Sequence, residues 1–233
     1  MNGAVISKLE IDVMQINEVL EATEIAHKYK LPSLVVHPGL SSEAIIARSR
    51  AGAKFNIITP IDWPKGETFG ASKMRGLMID TLETDGFEFL LTGDKKEIET
   101  KNEVQVLSDF VKMRLGENIE VRFVLGSVTR SMENVMSMCR GIFGTRTPSM
   151  IRTDINTKTQ ILKANSDEHN KLMEAIRTII KAPIKVSGNF NNLKSIVTVP
   201  SAARFAVSLQ QAKTIIKEFK SQPDKLNELL KAD

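Results

Sequence analysis

The stretch PSMIRTDIN, residues 148–156, reads as a short buried strand that ends on charge. Ser149, Met150 and Ile151 suit a core, and Arg152, Thr153 and Asp154 follow with no turn residue between them. PIKVSGNF, residues 183–190, repeats the pattern with Lys185. Strand alternation puts Met150, Arg152 and Asp154 on one face, and Lys185 with Ser187 opposite Ile184 and Val186. In VRFVLG, residues 121–126, Arg122, Val124 and Gly126 likewise oppose Phe123 and Leu125. If the apolar faces meet helices, Arg122, Arg152 and Lys185 all face a barrel interior.

Working outward, short apolar runs alternate with longer amphipathic segments almost to the end of the chain. Strands are expected at 4–7, 33–37, 54–59, 87–92, 120–125, 149–153, 184–187 and 204–208. Helices are expected at 16–29, 42–51, 68–84, 101–115, 131–142, 166–181, 192–199 and 209–220. Ser131 and Ser166 are plausible N-caps. Eight strand–helix units match a single-domain α/β protein, the (β/α)8 TIM barrel. A doubly wound sheet has a glycine-rich turn after its first strand, and AVISKLEID has none. The barrel is expected to span 1–222, with a helical tail at 223–233 after Pro223.

The 233 residues are 42% hydrophobic and 26% charged, an ordinary globular composition. No apolar run approaches the roughly 18 residues needed to span a bilayer, so no membrane partner is expected. Met1-Asn2-Gly3 does not begin a signal peptide. The single cysteine, Cys139, excludes an internal disulfide and fits a reducing, cytoplasmic setting. His27, His37 and His169 lack ligands at metal spacing, so neither a metal nor another cofactor is expected. Lys and Arg are dispersed and aromatics are only 5%, which argues against a dedicated nucleic-acid surface.

In such barrels sites form at the C-terminal strand ends. Strands lie about 4.8 Å apart, so Arg122, Arg152 and Lys185 would be close neighbours. Like charges in a confined interior need compensation, and Asp154 can neutralise at most one of them. A bound anion, such as phosphate or a sugar phosphate, accounts for the surplus; a buried Arg–Asp–Lys network is the alternative. Ser187, Gly188 and Asn189 follow the seventh strand and could offer backbone N–H groups to a phosphate. Ser208, ending the eighth strand, would lie beside them. His37 is an acid/base candidate or a packed polar residue. In TPIDWPKGETFG, residues 59–70, Asp62 or Lys65 could reach the barrel mouth, or Trp63 could plug the core.

These segments together resemble the deoxyribose-phosphate aldolase family of Schiff-base-forming barrels. SLVVHP is similar to that family's second-strand motif ending in Asn-Pro, with His37 for Asn. IDWPKGETFGASK shares Pro64, Gly66 and Lys73 with its Gly-Phe-Pro-x-Gly segment. VRFVL, GTRTPSMIRTDIN, IKVSGNFNNL and RFAVS resemble its later strands, in order and at matching spacing. The departures fall on the chemistry. Arg152 stands at the Schiff-base lysine, Arg122 at the strand-five lysine and Gly126 at the acid after it. Phe89 to Leu91 offer no acid where the family has its strand-four aspartate. Only Lys185, the second lysine of the family's pair, persists, with Ser187-Gly188 of the phosphate loop.

Arginine cannot serve as the nucleophilic amine, because its pKa above 12 leaves essentially no neutral form. A lysine near 10.4 must fall about 3 units to be substantially neutral at pH 7, roughly 4 kcal/mol of differential interaction. Arg152 and Arg122 could supply much of that to Lys185 by repulsion, with Asp154 blunting it. The resemblance thus implies a divergent barrel without standard aldolase activity that binds a phosphorylated small molecule. The alternatives are an active lyase taking an aldehyde at Lys185, and a structural or assembly protein that reuses the barrel. A homo-oligomer is left open.

Overall fold

A computed structural model describes Ile6 and residues 8–61, 84–91, 97–116, 118–125, 150–154, 184–187 and 204–221. Its strands are β1 (Leu9–Val13), β2 (Ser33–Val36), β3 (Asn56–Ile61), β4 (Gly86–Leu91), β5 (Glu120–Leu125), β6 (Met150–Asp154), β7 (Ile184–Ser187) and β8 (Arg204–Ser208). Each pairs in parallel with the next, and β8 returns to β1, closing the sheet. The described helices are α1 (Val19–Tyr29), α2 (Ser41–Arg50), α3 (Glu97–Leu115) and α4 (Leu209–Ser221). The helices expected at 131–142, 166–181 and 192–199, most of that at 68–84, and the tail at 223–233 lie outside the described residues.

Strands β5, β7 and β8 have the expected bounds, and β6 and β3 are displaced toward the C-terminus by one and two residues. The first strand is corrected: it is Leu9–Val13, not 4–7, and Ile6 is helical. LEIDV satisfies a barrel strand where a short apolar run does not. Leu9, Ile11 and Val13 join the core cluster beneath the helices, while Glu10 lies on the opposite face.

The same sorting runs around the barrel. Leu34, Val36, Ile57, Ile61, Phe87, Phe89, Val121, Phe123, Phe205 and Val207 form the layer between sheet and helices. Phe89 packs on Phe87 and Phe123, with centroids 6.3 and 5.8 Å apart. Helix α4 covers this layer with Leu209, Ala212, Ile215, Ile216 and Phe219, spaced three and four apart. Helix α1 contributes Val19, Ala22 and Ala26, then stops at Lys30. That residue is left-handed (φ 54°) and donates its N–H to the carbonyls of Ala26 and His27.

At the N-terminal end of the sheet, Asp85 accepts from the Ile57 N–H at 2.7 Å and pairs with Arg48. Arg48 also donates to the Phe55 carbonyl at 2.9 Å, tying α2 to β3 and β4. Gly86 makes the β4–β5 approach feasible. A Cβ there would sit 2.6 Å from the Glu120 carbonyl oxygen and 2.8 Å from Ile58 Cδ1.

Candidate functional site

The interior face carries Glu10, Ser33, Val35, Ile58, Glu88, Arg122, Val124 and Ala206, all buried. A polar, charged lining among small apolar residues follows directly from alternation, because the outer face takes the large hydrophobics. Arg122 is fully buried and reaches across the barrel from β5. Its Nη1 donates to Glu10 Oε2 at 2.6 Å, Nη2 to Ser33 Oγ at 3.2 Å, and Nε to Glu120 Oε1 at 2.9 Å. Glu88 Oε2 lies 3.8 Å from Nη1, and the Glu10 and Glu88 side chains are wholly excluded from solvent. Burial alone would lower the guanidinium pKa. Glu10, Glu120 and Glu88 outweigh it and raise the pKa above its ordinary value. The cation is thus held by the protein's own carboxylates.

Backbone register shows how the other expected cations stand. Arg152 is in register with Val124 of β5 and Lys185 of β7, and Lys185 is in register with Arg204 of β8. Register partners share a face of the sheet. The sequence reading joined Arg152 to Lys185 and gave Arg204 no part, and Arg204 opens β8 at the N-terminal end of that strand. Asp154 is in register with Ser187. Gly188 and Asn189 lie outside the described residues, as do Asp62, Trp63 and Lys65.

Ser208 is exposed at the end of β8 and caps α4. Its Oγ accepts from the Gln211 N–H at 3.3 Å, and its own N–H donates to Gln211 Oε1 at 3.1 Å. This reciprocal pair is a capping box. His37 is exposed beyond β2, with the Gly39 N–H donating to its Nδ1 at 3.4 Å.

Three interior acids were missed. Glu10 and Asp12 escaped because the first strand was set too early, so their alternation was not read. Asp12 is half-buried and in register with Ser208 and Val35. Glu88 escaped because the fourth-strand acid was expected within Phe89 to Leu91. The available signal was a carboxylate flanked by buried phenylalanines at period two.

No family model matches the chain, and no curated relative matches it in sequence. Solved structures do match. The deoxyribose phosphate aldolase of Aeropyrum pernix, described as a tetramer, superposes at TM-score 0.75 with 13% identity, over 95% of this chain and 93% of its own. A second aldolase superposes at 0.68 with 15% identity, covering 93% and 96%. Orotidine 5'-monophosphate decarboxylase from Methanocaldococcus jannaschii follows at 0.61 with 15% identity, covering 95% and 96%. The architecture is therefore that of an aldolase-type parallel β/α barrel. Within that class, the fold is similar to that of deoxyribose-phosphate aldolases.

Proposed function

We propose that this chain is a divergent deoxyribose-phosphate-aldolase-like (β/α)8 barrel that binds a phosphorylated small molecule at the C-terminal end of its strands. The standard Schiff-base reaction is absent, because arginine stands at the amine's position and cannot lose its proton at neutral pH. The observation that carries the reading is the register pair Arg152–Lys185, which aligns two cationic residues on adjacent strands. Adjacent like charges favour a compensating anion. Ser187, Gly188 and Asn189 would supply loop N–H groups, and Ser208 the start of α4. Arg122 is the exception among the expected anion-binding residues. With Glu10, Glu88 and Glu120 around it, its role is to brace the interior beneath the site. A cytoplasmic location and a homo-oligomeric state, as in the tetrameric Aeropyrum pernix relative, complete the proposal.

Thermal denaturation with deoxyribose 5-phosphate and with inorganic phosphate tests it. A ligand that binds only the folded chain at about 100 times its Kd adds about 2.7 kcal/mol of stability. A rise in Tm that vanishes in Arg152→Met is expected; no rise with either compound defeats the anion site.

One observation favours a second reading, an active lyase. Arg152 is the direct register neighbour of Lys185, as a cation depressing an amine pKa would be. In that case Lys185 Nζ attacks the aldehyde carbon, water leaves, and an imine forms. Borohydride adds hydride to the imine carbon and leaves a stable secondary amine on the lysine. An adduct seen by mass spectrometry and lost in Lys185→Ala would favour the lyase over the binding protein. A chain that gives neither adduct nor thermal shift is left with the structural role.

A further inference from the structure

Helices α1 and α4 lie side by side on the outside of the barrel, with a groove of about 580 Å³ between them. We propose that this groove binds an acidic segment of a partner protein, anchored by an apolar side chain. It is independent of the strand-end site. Helix α1 leaves the C-terminal end of β1 and returns to the start of β2, so Tyr29 sits toward the opposite end of the barrel.

The floor is apolar. Ile216 is buried, and Ile25 and Tyr29 pack partly against the core. The rim is basic. Lys213, Lys217 and Lys220 follow one another at intervals of four and three, which puts them on one side of α4. The ammonium groups of Lys28 and Lys220 lie 5.8 and 5.4 Å from the Tyr29 ring centroid, within cation–π range. Two carboxylates, Glu21 and Glu24, face these four ammoniums, and Glu21 is engaged by Lys213 at 2.7 Å. Lys217 has no ion-pair partner among the described residues.

Lysines near helix C-termini complement the helix dipole, which accounts for Lys28 and Lys220. It does not account for Lys217, a full turn earlier, nor for the apolar floor. Cations around an apolar floor suit a carboxylate-bearing peptide with a buried anchor, a helix-in-groove or extended mode. Nucleic acid fits less well. The groove offers a single aromatic ring for stacking and sets two carboxylates against a phosphate backbone.

The test is fluorescence anisotropy of the full chain with a labelled glutamate-rich peptide carrying a central leucine pair. Saturable binding is expected, weakened about tenfold or more in the Lys217→Glu/Lys220→Glu double variant. It should be weakened less in Lys217→Gln/Lys220→Gln, and unchanged in Lys54→Glu/Lys112→Glu, whose residues are exposed elsewhere. All of these positions are exposed, and circular dichroism checks that each variant folds. No saturable binding to the wild-type chain overturns the proposal, and so does equal weakening in both glutamate variants, the mark of general charge attraction. Displacement of the peptide by a lower concentration of a single-stranded oligonucleotide of equal charge overturns it in favour of nucleic acid. A wild-type dimer in sedimentation that the Lys217→Glu/Lys220→Glu variant abolishes reassigns the groove to a second copy of the chain.

Discussion

Around Arg122 the interior charges close on one another, whereas on β6 and β7 the register sets Arg152 beside Lys185. Both regions belong to one closed sheet. The difference is in the partners. Strands β1, β4 and β5 supply carboxylates to Arg122, so its guanidinium is a structural tie across the barrel. Strands β6 and β7 set arginine and lysine at paired positions, where the proposed function places an outside anion. A cation in a barrel is therefore read by what the facing strands carry, not by its own identity.

The largest effect should come from breaking the tie. Arg122→Met removes the buried cation that Glu10 and Glu88 share and should cost about 3–5 kcal/mol in urea denaturation. Its raised pKa carries no alkaline weakness into the usable range. The stability it contributes is full below the ordinary arginine value and is lost only as pH rises above that. Arg152→Met sharpens the contrast: it should change the urea midpoint of the ligand-free chain much less, yet abolish the phosphate-dependent gain in Tm described above.

Gly86→Ala tests the wall that brings Glu120 to Arg122. The added methyl meets the Glu120 backbone, a contact that cannot swing aside, so a loss of about 1–3 kcal/mol is expected by the same denaturation. Ser208→Ala removes the cap of α4 at the other end of the barrel and should cost about 1 kcal/mol, seen as a lower Tm.

The smallest effect concerns Lys8, just before β1. Burial lowers its pKa from 10.5, so the unfolded chain holds its proton more tightly than the folded one. Stability should therefore rise as pH climbs through the lowered value toward 10.5. Lys8→Gln should remove that slope in denaturation midpoints measured across the alkaline range.

Much of the architecture was legible because period-two alternation is local. Strands β5, β7 and β8 could be bounded from their apolar residues and the turn signals beside them. The charged strand ends on β6 and β7 were likewise visible. Strand β1 was misplaced for an equally physical reason: its interior face carries Glu10 and Asp12, so its hydrophobic density is below that of the preceding AVIS. Glu88 was hidden similarly, between two phenylalanines whose burial dominates the local pattern.

Sequence by itself determined the parallel, alternating architecture and the presence of charged residues at the ends of β6 and β7, since both depend only on residue type and spacing. Tertiary structure decided which charges meet. Arg122 and Glu10 are 112 positions apart, and only closure of the sheet brings β5 opposite β1 and β2. Pairing across a barrel depends on strand order and stagger, which no local pattern encodes.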